Sequence, residues 1–368
     1  MNRITPSLSL YLGGQFLVAF GGVLGVIAGL IVLFDTIELL RRTVRSDNVE
    51  LGTLVGLALL KMPHTIEDVL PFVVMIAVML ALFRLSRNHE LVVIRSAGVS
   101  VWQVLTPALI LAAVIGVLSL AVVNPLAAGL FSVYERLKDG LIRNDAAALD
   151  IGETGFWLRE TGGGSAAIVH AVTVSQTEGA LALGGVTIIE TDAKDNLVRR
   201  IEAKDGQLLD GFFRLRDTLT LEPGQPAKRE PELFQPTTIT LTQVQDSFAS
   251  PETLSFWDLP EFIAFSQASG FSALPHRLHW ASLMTMPVML CAMVMIAASF
   301  FLTAQARLAA WTLRAAAGVA TGFLLFFFSR FTYALGLSAT LPVALAAWAP
   351  AVIALLLGLA YLFHREDG

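Results

Sequence analysis

Three arginines close the first apolar run of the chain: Arg41, Arg42 and Arg45 in "ELLRRTVRS". Guanidinium groups so placed can offer planar, two-pronged hydrogen bonds to phosphates or carboxylates. On a helix Arg41 and Arg45 share a face, and Glu38 is spaced to pair with Arg41 or Arg42. At least one cation is then left over for an anionic partner such as a phosphorylated lipid. The plainer alternative is a set of arginines that anchor a span end on ordinary headgroups. A second charged group interrupts apolar sequence at residues 84–104, "RLSRNHELVVIRSAGVSVWQV", with Arg87, Glu90 and Arg95 among its members. His276 and His279 have a metal-ligand spacing without a third ligand nearby, so they are expected to be interfacial. "HELVV" lacks the second histidine of H-E-x-x-H, and there is no G-x-S-x-G elbow. No G-x-x-x-x-G-K-[ST] occurs, and "TGGGSAA" lacks the lysine, so the chain is not expected to cradle ATP phosphates itself. No catalytic residue, metal ligand or intrinsic cofactor is therefore assigned.

The elements that position these groups are set by composition. Hydrophobic residues make up 55% of the chain and charged ones 15%, and the mean hydropathy is +0.68, more than a soluble core requires. Apolar runs near 8–34, 54–83, 101–124, 277–302, 309–331 and 341–363 reach the roughly 20 residues that cross a bilayer. The first run is too long for a signal-peptide core and reads as a retained span. The only cysteine, Cys291, lies inside a run, which excludes an intrachain disulfide. A net charge of −5 argues against a nucleic-acid partner.

Between the third and fourth spans, residues 153–245 change character. Short β-rich runs such as "GFWLRE", "AAIVHAVTV", "GGVTIIET" and "TTITLTQV" alternate with turn signals such as "AKDN" and "EPGQP". The expected fold is an α-helical membrane protein with six transmembrane helices and an inserted all-β, sandwich or jellyroll-like domain. The expected layout is residues 1–125 for spans one to three, 126–275 for the inserted region and 276–368 for spans four to six. Arg3, the 84–95 cluster, Arg307, Arg314 and Arg365 fall on one side of six alternating spans. The bias of short loops makes that side cytoplasmic, with both termini, and puts the β domain outside. The arginines at 41, 42 and 45 break this bias, which invites a functional explanation.

Within the cytoplasmic stretch Asn88 is placed to cap a helix of about residues 89–97, with Glu90 in its first turn and Gly98 as a left-handed stop. Ser100 and Gln103 have capping-box spacing for the next span. Leu91, Ile94 and Arg95 lie on adjacent faces and would suit docking into a groove of another protein; the alternative is an amphipathic helix resting on the membrane surface. Gly21, Gly25 and Gly29 form a stripe in the first span, and Gly318 with Gly322 a second in the fifth, where helices can approach closely. Arg330, late in the fifth span, calls for a partner, with Asp35, Glu67 and Asp68 as the acidic candidates.

"LFRLSRNHELVVIRSAGVS", preceded by the proline-bearing entrance "KMPHTIEDVLPFVV", closely resembles the LptF/LptG (YjgP/YjgQ) permeases of lipopolysaccharide export. The resemblance covers nearly the whole chain, and "FDTIELLRR" is more like the LptG branch. It implies that the 89–97 helix is a coupling helix docking on an LptB-like ATPase dimer through Arg87, Glu90, Leu91, Ile94 and Arg95. It further implies an LptF-like paralogous subunit packed at gates lined by the glycine stripes, and lipopolysaccharide held by Arg41, Arg42 and Arg45. An LptC-like jellyroll protein and an LptA-like periplasmic bridge would complete the system, with ATP and magnesium on the ATPase. The location implied is the Gram-negative inner membrane, with the β domain in the periplasm. Readings from other classes are an intramembrane hydrolase and a passive scaffold with an external adhesion domain.

Overall fold

The computed structural model describes residues 6–43, 50–142, 148–152, 155–162, 165–177, 180–192, 196–209, 211–237, 250–268, 272–301 and 308–366. Six of its helices are long and apolar enough to cross a membrane: Pro6–Arg41, Leu51–Arg87, Val101–Lys138, Leu274–Phe301, Thr312–Leu337 and Val343–His364. The chain divides into two compact units. One comprises Met1–Leu137, Leu254–Pro260 and Leu274–Gly368, the other Lys138–Thr253 and Glu261–Ala273.

In the first unit, α1 (Pro6–Thr43), α2 (Leu51–Arg87), the short α3 (Glu90–Ser96) and α4 (Val101–Leu118) are followed by a π turn at Ser119–Val123. Helix α5 (Asn124–Ile142) continues without a break, so the third span runs on where the sequence suggested separate segments. After the β region come α6 (Leu259–Ala268), α7 (Leu274–Phe301), α8 (Leu308–Leu337) and α9 (Val343–Glu366). Val74, Met75 and Ala77 of α2 and Leu290, Met293 and Ala297 of α7 are fully covered and form the centre of the core. Helix α7 packs on α2, α4, α8 and α9, while α1 packs on α2 and α4. Helices α1 and α8 leave most of their apolar length uncovered, including Leu30, Phe34, Phe323 and Phe327. Such faces suit lipid or another apolar helix.

The closest approach of a glycine to the backbone of another helix, among the described residues, lies outside the stripes. A Cβ on Gly116 of α4 would stand 2.6 Å from Pro287 Cα of α7, a backbone atom that cannot swing aside. We expect Gly116→Ala to force these helices apart at a cost of roughly 1–3 kcal/mol, read as a lower melting temperature of the purified protein. Gly129→Ala, with open space around it, should leave the melting temperature unchanged.

The second unit holds the expected all-β domain, together with the end of α5 and most of α6. Its seven described strands are β1 (Ala148–Gly152), β2 (Gly155–Gly162), β3 (Ser165–Thr177), β4 (Ala180–Thr191), β5 (Leu197–Leu209), β6 (Phe212–Leu221) and β7 (Lys228–Pro236). They form one antiparallel sheet in chain order; most of "TTITLTQV" lies outside the described residues. A single meander would ordinarily bury one face only if something else covered it. Here Val172, Gly185, Lys204, Asp217 and Pro231 fall opposite one another in a row where the pairing is interrupted. Inward parity switches at that row, from Leu181 and Leu183 to Val186 and Ile188 in β4, and from Ile201 and Ala203 to Leu208 in β5. Gly185 (φ 65°) and Asp217 (φ 58°) take left-handed backbone there, and Pro231 has no N–H to donate. The strands bend along this row, and residues from both sides join one buried cluster. The sandwich-like core expected from the sequence is thus built by one sheet turning over.

Candidate functional site

The short helix α3 is built by its boundaries. Helix α2 stops at Asn88, and His89 takes the left-handed region (φ 59°) as the N-cap of α3, without a side-chain capping bond. Asn88 is therefore not the N-cap that its position implied. Its amide instead donates to Glu90 Oε1 at 3.1 Å, because the turn at His89 brings the two side chains together. At the other end Gly98 is left-handed (φ 85°), its N–H donates to Arg95 O at 3.0 Å, and Val99 N–H donates to Ile94 O at 3.4 Å. That is a Schellman closure, which satisfies the last carbonyls of a helix too short to do so alone. Ser100 Oγ accepts from Gln103 N–H, and Ser100 N–H donates to Gln103 Oε1, completing the expected capping box at the start of α4.

These locks orient seven residues. Leu91 is 5% exposed within the apolar core, and Ile94 packs against the same cluster. Neither stands on the outer face, where the sequence placed both as docking residues. With two turns and four apolar side chains, α3 must divide them: Leu91 and Ile94 go inward and Val92 and Val93 outward, 56% and 65% exposed. Arg87, Arg95 and Ser96 are exposed around the two valines. The outer face is thus a small apolar patch with cations beside it. Glu90 is half-buried, and its second oxygen accepts a 2.7 Å hydrogen bond from Tyr11 Oη of α1. No sequence signal pointed to Tyr11, Val92 or Val93, though the two valines could have been found by marking the positions left over once an inward face was chosen.

At the far ends of the first two spans, Arg41 is exposed in the last turn of α1. Arg42 belongs to the same helix, with its side chain outside the described residues, as are Arg45, Arg3 and Arg307 altogether. The acidic candidates for Arg330 separate cleanly. Asp68 takes the ion pair, with Arg330 Nη2 at 2.6 Å from Oδ2 and the guanidinium over the Phe326 ring. Asp35 is held by Lys61 at 2.8 Å. Glu67 is buried and accepts from Ser119 Oγ at 3.3 Å and Asn124 Nδ2 at 3.2 Å, bracing the π turn of the third span. Asn124 Oδ1 in turn accepts from Phe256 N–H at 2.8 Å, and Trp257 Nε1 donates to the Ala121 carbonyl within the π turn. Glu67 is buried, so losing either of its own two donors would leave a carboxyl oxygen without a partner.

The two glycine stripes differ. Cβ atoms on Gly21, Gly25 and Gly29 would meet open space, so this face of α1 has room for another helix. On Gly318 and Gly322 they would meet Met79 Cε at 2.7 Å and Met75 Cε at 2.5 Å. The second stripe is therefore filled by thioether side chains of α2 in the same chain. Among the described residues no three histidine, cysteine, aspartate or glutamate side chains converge as a metal site.

No curated protein matches the chain. The family model for the lipopolysaccharide export system permease LptF/LptG matches residues 10–365, which take in all but the first residues of the six spanning helices, the inserted sheet and the α3 segment. A match over that length shows the family, and the chain belongs to the LptF/LptG permeases of lipopolysaccharide export.

Proposed function

We propose that this chain is the LptG-like membrane subunit of an ATP-driven extractor that lifts lipopolysaccharide from the outer leaflet of the inner membrane. The family supplies the coarse statement, a multi-pass inner-membrane permease of lipopolysaccharide export. The observation that carries the finer reading is the locked helix α3 with its uncovered pair Val92 and Val93. Two adjacent valines, open on a seven-residue helix between two spans, fit an apolar groove on an LptB-like ATPase dimer, which would carry the ATP and magnesium. Arg87 and Arg95 would flank that groove, while Leu91 and Ile94 hold the helix in place and Glu90 orients it.

The uncovered faces of α1 and α8 support pairing with an LptF-like paralogue, with the open stripe Gly21, Gly25 and Gly29 as the closer of the two contacts. Gly318 and Gly322 would act indirectly, through the methionines that fill them. In this reading both termini are cytoplasmic and the β domain is periplasmic, beside an LptC-like jellyroll protein, passing lipid to an LptA-like bridge. Arg41, Arg42 and Arg45 would receive phosphates of the lipid at the outer leaflet.

Purification of the tagged chain from its native membrane, with mass spectrometry of bound proteins and lipid, tests the assembly. The expected result is a nucleotide-hydrolysing subunit and a paralogous permease recovered together with lipopolysaccharide. Recovery of the chain alone, or with phospholipid only, would refute it.

A further inference from the structure

We infer that Tyr11 is a positioning residue that couples helix α3 to the first span through its hydrogen bond to Glu90, an inference that rests on α3 being the docking helix. Tyr11 Oη donates to Glu90 Oε2 at 2.7 Å across 79 residues of sequence, and Gln15 Nε2, one turn along α1, donates to the same hydroxyl at 3.3 Å. Asn88 Nδ2 occupies the other oxygen of the carboxylate. Both oxygens of Glu90 are thus engaged by the chain's own side chains, one from the turn before α3 and one from α1. An acid on a docking helix would be expected to face its partner; this one is turned toward α1, in a bond that stays open to solvent because Tyr11 is 44% exposed.

The bond has a job that apolar packing cannot do. Leu91 sits in the same buried cluster as Leu12 and Phe16 of α1, which sets how deep α3 lies. Apolar contact is non-directional, so a helix of two turns could still roll about that anchor. A charge-assisted hydrogen bond constrains angle as well as distance. Glu90 begins α3 and Tyr11 lies in the opening turns of α1, so a roll of α3 under load pulls directly on α1. Helix α1 also bears the open glycine face and carries Arg41 in its last turn. The bond therefore joins α3 to the spanning helix with the smallest buried share.

The test uses the purified complex with its ATPase, and compares Tyr11→Phe, Glu90→Ala and the double variant. The phenylalanine variant should recover ATPase as wild type does and keep its melting temperature. Lipopolysaccharide released per ATP hydrolysed should fall roughly three- to tenfold, the size expected for one hydrogen bond that stays open to solvent. If Tyr11 acts through Glu90, adding Tyr11→Phe to Glu90→Ala should change release no further. A wild-type release ratio in Tyr11→Phe, fully multiplicative effects in the double variant, or a fall in release matched by a fall in melting temperature would each overturn the proposal. Failure of the docking reading looks different: wild type itself would recover no ATPase, before any variant is compared.

Discussion

Val92→Asp combined with Val93→Asp is expected to abolish recovery of the partner ATPase while the membrane unit stays folded. Both side chains are more than half exposed, so neither contributes much to the core, and two carboxylates there remain in water in the free chain. Docking would change that. Each valine buried against a partner is worth about 1.5 kcal/mol, and an aspartate in its place adds the cost of desolvating an unpaired charge. Loss of the apolar contribution alone weakens association about 100-fold. Leu91→Asp supplies the contrast, because Leu91 lies in the core and that variant should lower the melting temperature first. The measurement is ATPase recovered per unit of folded protein. Undiminished recovery with the double aspartate would show that α3 lies against lipid headgroups, the membrane-surface alternative.

How much of this was legible beforehand follows from the range of the interactions. The six spans were readable because hydropathy acts on every residue of a run and needs no partner. The capping box at Ser100 and the left-handed stop at Gly98 were readable because both close within five residues. Asn88 shows the limit of local reasoning. A left-handed histidine is rarer than an asparagine cap, and only the path from α2 into α3 makes His89 the boundary. The split of Leu91 and Ile94 from Val92 and Val93 depends on which side the core lies, which seven residues cannot state.

Longer-range features left no local trace. Tyr11 and Glu90 meet because α1 and α2 lie side by side, and neither sequence neighbourhood marks the other. Gly116 carries the tightest approach to the backbone of another helix, yet it has no glycine three or four residues away to draw attention. The stripe at Gly318 and Gly322 had the pattern, but methionines of the same chain fill it. In the β unit, "LVRRIEAKDGQLL" alternates imperfectly on paper. The irregularity at Lys204 and Asp205 is the strand bending with its neighbours, visible only once the row across five strands is seen.

Changing Arg41, Arg42 and Arg45 together to alanine is expected to lower lipopolysaccharide crosslinking to the chain by roughly 10- to 100-fold, with ATPase recovery unaltered. The range reflects one lost hydrogen bond to a charged group at about 1.5–3 kcal/mol, since Glu38 is spaced to occupy part of the cluster. Three explanations compete for these arginines. They could complement the negative end of the α1 dipole, since Arg41 lies in its last turn; they could rest on ordinary headgroups; or they could grip phosphates of the exported lipid. Lysine separates them. In the first two roles an ammonium serves about as well as a guanidinium, so the triple lysine variant should match wild type, and even alanine should alter little beyond tilt. A phosphate grip uses the planar fork, which a lysine point charge does not reproduce. Lysine should then fall between wild type and alanine. Rising ionic strength should weaken the wild-type signal and leave the alanine signal nearly flat, because acyl-chain burial is insensitive to screening. Equal crosslinking in wild type, lysine and alanine versions at matched protein level would make these residues anchors of the first span and remove them from the substrate path.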